Sequence, residues 1–174
     1  MAKRIVTKIG DIFSVTLDNG NLRFFQYVAN DLSCLNSSVI RVFKKEYPKG
    51  YELNPEEVVS DDVDFYAHTV LRWGIEDGEW QKVSKCKNVG ETSQILFRDY
   101  SRDYILRGYS EMENDHKDRN WEAWYINKEC FTIGKLTEEF RLKSDIGLVF
   151  PYTDIIARIK NGVYPGTAYW PEEH

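Results

Sequence analysis

Apolar and polar residues alternate most regularly over residues 13–17, where Phe, Val and Leu are separated by Ser and Thr. A period of two is typical of a strand with one buried face. Asn19-Gly20 follows, and both residue types tolerate the positive φ angles of a type I′ hairpin turn. Two further apolar runs follow, over residues 22–28 and 39–43. The pattern therefore predicts a three-stranded antiparallel meander over residues 9–43. Its predicted core residues are Phe13, Val15, Leu17, Ile40 and Val42.

The middle of the chain predicts a second hairpin. Residues 65–75 alternate in a similar way and predict a long strand, and the acidic, glycine-containing stretch 76–79 predicts a turn. Residues 80–83 then predict the returning partner strand. Polar stretches predict a turn at 98–103 and a solvated loop at 111–120. Shorter strands are predicted over 94–97, 104–106 and 121–126.

Two stretches predict helices, near 55–60 and over 152–161. In the first, Asn54 can cap a helix that starts at Pro55, and two glutamates complement the positive helix end. In the second, isoleucines at helical spacing predict a buried stripe. Its expected end features are a Thr153 cap, a pair between Asp154 and Arg158, and a left-handed stop at Asn161-Gly162.

These elements predict an α+β protein, formed mostly of antiparallel twisted β-sheet or a half-barrel with a few short helices. A chain of 174 residues can bury a sizeable core, so we expect a single domain over 1–174. The polar stretch 85–91 contains Gly90 and is the best candidate boundary if that domain has two lobes. These would be an N-terminal β meander lobe over 1–85 and a C-terminal α+β lobe over 86–174.

Composition narrows the functional classes. The net charge of −5 disfavours a general nucleic-acid binder, which needs a basic surface to displace counterions. No apolar run approaches the ~20 residues of a membrane span, and the first residues lack a signal-peptide pattern. Three widely spaced cysteines, without a CxxC or Cys-His cluster, predict reduced thiols in a cytoplasmic protein.

Candidate chemistry is sparse. We expect His68 to be a structural histidine on a strand and His116 to be solvated in a loop. The acidic run 61–64 lacks the glycine and distal glutamate of a calcium loop, and no phosphate-binding loop or hydrolase motif is present. The sequence therefore predicts no catalytic residue, no cofactor and no metal.

Binding is the better-supported class, because five tryptophans exceed what one small core requires. Acidic residues flank two of them, and exposed aromatics with a polar rim are typical of protein interfaces. The competing interpretation is that the tryptophans fill the core and the acids keep the protein soluble. The predicted partner-binding residues are Glu76, Asp77, Glu79, Trp80 and Trp121.

The opening strand, turn and strand resemble the immunity protein 26 family of bacterial polymorphic toxin systems. The resemblance covers residues 8–43 and implies a protein that binds and neutralises a cognate toxin, without catalytic residues of its own. It rests on Gly10-Asp11-Ile12-Phe13, Val15, Leu17, Asp18-Asn19-Gly20 and Phe24-Phe25-Gln26-Tyr27-Val28.

The leading hypothesis is thus a cytoplasmic immunity protein that occludes a toxin, for example a basic nuclease, by stoichiometric binding. The alternative is a small-barrel module that binds a peptide or nucleic acid and has no link to toxins. A metal-assisted hydrolase around His116 is a third hypothesis.

Overall fold

A computed structural model of the chain describes residues 5–101 and 120–165. Within these ranges it contains ten strands in two sheets and four short helices. Six of the eight strand pairings are antiparallel. The predicted α+β class, with mostly antiparallel sheet, is confirmed.

The first sheet has six strands in the order β10-β4-β3-β2-β1-β5. Its strands are β1 (Asp11–Thr16), β2 (Leu22–Asp31), β3 (Ser37–Phe43), β4 (Val63–Thr69), β5 (Gln81–Lys85) and β10 (Val149–Phe150). The predicted meander is confirmed, since β1, β2 and β3 pair in succession and all five predicted core residues are buried. The edges of the sheet are β5, which carries Lys82 and Lys85, and β10, which has two residues and precedes Pro151.

The turn between β1 and β2 differs from the predicted type I′ form. Only Gly20 has a positive φ, +83°, and its N–H donates to the carbonyl of Leu17 over 2.9 Å. The Asn19 side chain accepts from the N–H of Asn21, which holds Asn19 in an ordinary backbone conformation. The result is a three-residue loop with a left-handed glycine, a common alternative to the two-residue turn.

The predicted strand over 65–75 is wrong in its second half, because β4 ends at Thr69 and helix α2 spans Leu71–Glu76. The predicted pairing of the returning strand is also wrong. Strand β5 cannot lie beside β4, which already has β3 and β10 as neighbours, so it pairs antiparallel with β1 at the opposite edge.

The second sheet has four strands in the order β8-β7-β6-β9. They are β6 (Leu96–Tyr100), β7 (Trp121–Tyr125), β8 (Phe131–Gly134) and β9 (Asp145–Ile146). The strand predicted over 121–126 is confirmed. The strand predicted at 94–97 instead continues through Arg98 and Asp99, where a turn was predicted, because Arg98 is buried and donates to the carbonyl of Ser144. The strand predicted at 104–106 and His116 lie outside the described residues.

Both predicted helices are confirmed, as α1 (Pro55–Val59) and α4 (Tyr152–Asn161); α3 spans Glu138–Lys143. Asn54 caps α1, and Gly162 ends α4 with a φ of +81°. Two details of α4 are corrected: its N-cap is Pro151 rather than Thr153, and Arg158 approaches Asp145, at 3.7 Å, instead of Asp154. No helix of the described ranges has the length and apolar character needed to span a bilayer.

Both faces of the first sheet are covered. Its inner face, which includes Phe13 and Phe25, joins α4 and Trp121 of the second sheet in the largest core cluster. Its outer face is covered by α1 and by residues 86–90. There the fully buried Gln26 accepts two hydrogen bonds from Arg41, at 2.7 and 3.0 Å, and donates to the carbonyl of Cys86 at 2.9 Å.

The largest cluster contains residues from both sides of the predicted boundary at 85–91. A further cluster joins Val39, at the far end of the outer face, to Phe97 and Trp124 of the second sheet. The two sheets therefore share their core residues.

Candidate functional site

The residues predicted to bind a partner separate into two groups. Glu76, Asp77 and Glu79 are exposed at the end of α2 and in the turn that follows it. Trp80 is only 1% exposed and Trp121 only 3%, so both belong to the core. The expectation that these two tryptophans are exposed is wrong.

Trp80 is buried because α2 contains a glycine where the indole must pass. A Cβ atom on Gly74 would lie only 2.3 Å from the Trp80 ring. The indole Nε1 donates to the carbonyl of Leu71 over 3.0 Å, and the ring meets Phe25 edge-on with centroids 5.0 Å apart. Trp80 therefore packs between α2 and the inner face of the first sheet and contacts both.

Trp121 is buried for a different reason, since it starts β7, one of the two central strands of the second sheet. Its ring packs against Tyr100 of the adjacent strand, with centroids 4.4 Å apart. It belongs to the cluster that the two sheets share. Its neighbour in sequence, Glu122, is half-buried, so this pair does not form an exposed aromatic and acidic patch.

The aromatic residue that does accompany the acids is Trp73, which is 53% exposed on α2. Trp73 and Glu76 are three residues apart and are therefore neighbours on the helix surface. We call Trp73, Glu76, Asp77 and Glu79 the acidic face. The prediction of a strand concealed Trp73, because a period of two places it on the same side as the buried Leu71. Leu71 and Gly74 are both buried and are three residues apart, as on one side of a helix. This spacing is the signal that could have indicated that Trp73 faces solvent.

The acidic face carries a net negative charge. It contains three carboxylates, and the one cation of α2, Arg72, pairs with Glu76 at 2.6 Å on the surface. Asp77 hydrogen-bonds to the hydroxyl of Tyr152, and that bond is the chief cause of a raised pKa of Tyr152, followed by loss of water and the charges of Asp77 and Glu79. A surface of this kind attracts a basic partner.

A second polar centre lies where the two sheets meet. The buried carboxylate of Asp31 accepts from Trp124 Nε1 at 2.7 Å and lies 3.0 Å from Nε2 of His68. Burial alone would raise the pKa of Asp31, but hydrogen bonds from His68, Trp124 and Ser33 lower it far below its usual range. His68 is fully buried, as expected for a structural histidine, and the centre links β2, β4 and β7.

One cavity of about 330 Å³ lies beside the start of β4 and the end of α3. Several charged side chains that line it are paired within the protein: Arg158 faces Asp145, and Asp64 binds Arg23 at 2.7 Å. In the described part of the chain, no three His, Cys, Asp or Glu residues cluster in a way that could hold a metal ion.

In comparisons with known proteins, no family model matches the chain, and no curated protein or solved structure matches it. The resemblance to the immunity protein 26 family therefore stays a prediction based on residues 8–43.

Proposed function

We propose that this chain is an immunity protein that neutralises a cognate toxin in the bacterial cytoplasm by direct stoichiometric binding. The observation that carries the proposal is the acidic face, where three exposed carboxylates follow a half-exposed tryptophan within six residues of the chain. The resemblance of the opening hairpin to the immunity protein 26 family supplies the class of partner. The face supplies the surface that such a partner would cover.

The two parts of the acidic face have different roles in this proposal. Trp73 can bury a large amphipathic ring in a partner pocket, and tryptophan is among the residues that most often dominate binding energy. The carboxylates steer a basic partner towards the face and raise the association rate, with a smaller effect on affinity. Binding a basic site on the toxin, such as the substrate cleft of a nuclease, would block the site by occlusion. One bound copy then suffices for each toxin molecule.

The test is co-expression and binding kinetics with a toxin candidate encoded beside this gene. Trp73→Ala should speed dissociation and weaken binding by about 30-fold, the size expected of an anchor residue. Glu79→Lys should slow association at low salt, and added salt should reduce the difference from wild type. Glu52→Lys is the matched control, because it makes the same charge change next to α1, which covers the opposite face of the first sheet.

The outcomes separate the partner from the surface. A wild-type protein that neither binds the toxin nor protects the cell contradicts the toxin proposal. Wild-type binding with normal kinetics in Trp73→Ala and Glu79→Lys contradicts only the acidic face. Strongly salt-dependent binding of wild-type protein to nucleic acid would favour the alternative of a small binding module.

A further inference from the structure

Two of the three cysteines meet where turns from the two sheets lie side by side. Cys34 lies in the turn between β2 and β3, and Cys130 lies directly before β8. Their Sγ atoms are 2.6 Å apart although 96 residues separate them in sequence. Both cysteines are partly exposed and neither is in a disulfide. A disulfide bond has a sulfur–sulfur length of about 2.05 Å, so little movement separates this pair from a bonded one.

Besides the sulfur contact and a weak hydrogen bond from the Cys34 thiol to the carbonyl of Lys128 at 3.9 Å, hydrogen bonds that involve no sulfur hold the two turns together. The Asn127 side chain accepts from the N–H of Leu32 over 2.7 Å and donates to the carbonyl of Asn30 over 3.0 Å. The backbone N–H of Asn127 also donates to Asp31, at 3.4 Å. The hydrogen bonds of Asn127, which do not involve sulfur, thus help to bring Cys34 and Cys130 together.

The third cysteine has the opposite environment. Cys86 is 4% exposed under the outer face, and burial is the main cause of the raised pKa of its thiol. Because the thiolate is the nucleophile in thiol–disulfide exchange, burial and a raised pKa both slow its reaction. Cys86 is therefore an internal reference for the reactivity of the other two.

We propose that Cys34 and Cys130 form a redox modification site, a reversible disulfide that joins the two sheets. The oxidant is a low-molecular-weight disulfide. The thiolate of one cysteine attacks it, forms a mixed disulfide and releases one small thiol. The second cysteine attacks the protein sulfur of that mixed disulfide, and the other small thiol leaves. The two protein thiols lose two electrons and two protons, and the reagent becomes two thiols.

The link has a consequence for stability that does not depend on the proposed function. The disulfide would close a loop from Cys34 to Cys130, which are 96 residues apart in sequence. Closing such a long loop restricts the unfolded state. Reduction would reopen it and leave the hydrogen bonds of Asn127 in place. The oxidised and reduced forms should therefore share a fold and differ in thermal stability.

The test uses the full chain with its thiols first reduced and then incubated with oxidised glutathione. We expect two of the three thiols to be lost, a Cys34–Cys130 cross-linked peptide in non-reducing mass spectrometry, and a Tm raised by about 5 °C or more. Dithiothreitol should reverse all three changes. Cys34→Ser and Cys130→Ser are matched controls, and each should abolish both the cross-link and the rise in Tm.

Four results would overturn the proposal. These are three intact thiols, a stable mixed disulfide with glutathione, a cross-link through Cys86 or between two molecules, and a Cys34–Cys130 cross-link that leaves Tm unchanged or lower. The peptide measurement on wild-type protein decides the chemistry even if a serine variant folds poorly.

Discussion

The inner and outer faces of the first sheet are both buried, but they are stabilised by different interactions. The inner face around Phe13 and Phe25 is mainly apolar, with the two rings stacked at 5.0 Å. The outer face contains a buried amide and a buried guanidinium, Gln26 and Arg41, which bind each other and the carbonyls of residues 86–88. Alternation in a sequence thus shows which face is apolar, and it does not show which face is covered.

The strongest way to break this comparison is a cavity on the inner face. Phe13→Ala should lower the free energy of unfolding by about 3–5 kcal/mol, because a fully buried ring is removed from a close-packed cluster. Chemical denaturation of the wild-type and variant proteins measures the difference. An unchanged midpoint would contradict the description of the inner face.

On the outer face we expect a smaller loss that a second change can partly restore. Gln26→Ala leaves Arg41 without its side-chain partner and should cost about 2–4 kcal/mol. The double variant Gln26→Leu with Arg41→Met removes both polar groups and should be more stable than Gln26→Ala alone. The single variants Gln26→Leu and Arg41→Met complete a double-mutant cycle, and strictly additive losses in it would mean that the two residues act independently.

The second sheet provides a contrast to the outer face, where the buried polar groups bind each other. Its half-buried carboxylate, Asp99, lies opposite another acid instead of a partner of opposite charge. Burial is the first cause of a pKa of about 7 at Asp99, and the facing Glu122 also raises it. The pKa of Asp99 in the folded protein exceeds the ordinary value of 3.8. The contribution of Asp99 to the free energy of unfolding is therefore complete below pH 3.8 and is lost as the pH rises through 7.

Asp99→Asn should therefore raise the free energy of unfolding at pH 8 by about 1–2 kcal/mol. At pH 4 the variant should differ little from wild type, because Asp99 is protonated in the folded protein. Thermal unfolding at both pH values provides the measurement, and an equal effect at both would show that titration of Asp99 is not responsible.

The smallest effect on stability is expected on the acidic face. Trp73→Ala should change the free energy of unfolding by no more than about 0.5 kcal/mol, because its ring is half in water. Trp80→Ala, seven residues later, should cost about 3–5 kcal/mol. Similar losses in the two variants would show that Trp73 is a core residue and would remove it as a candidate anchor.

Local patterns were sufficient for the parts of the fold that depend on near neighbours. The meander follows from alternation and a glycine turn, and α1 follows from Asn54 and Pro55. The stretch 71–76 was misassigned because a six-residue helix is too short to display its period clearly against an adjacent strand. The parallel contact of β10 with β4 rests on two residues of each strand, which no local pattern specifies.

Local patterns predict only part of the candidate site, because they do not show what covers a side chain. Charge alone indicated that Glu76, Asp77 and Glu79 are exposed. Whether a tryptophan faces water depends on what lies above it, and Trp80 is covered only because Gly74 leaves room. The burial of Gln26 likewise depends on residues 86–90, some sixty positions away, and the sulfur contact of Cys34 depends on a turn in the other sheet.

The edges of the first sheet bear on how other chains can associate with this protein. An exposed strand is a template on which a second chain can add its own backbone, and this is a common route to aggregation. Here one edge, β5, carries Lys82 and Lys85, and the other, β10, has two residues before Pro151, which has no N–H to donate. Both edges of the first sheet are therefore poor templates for strand addition, and a partner of this sheet is expected to recognise side chains instead of extending the ladder.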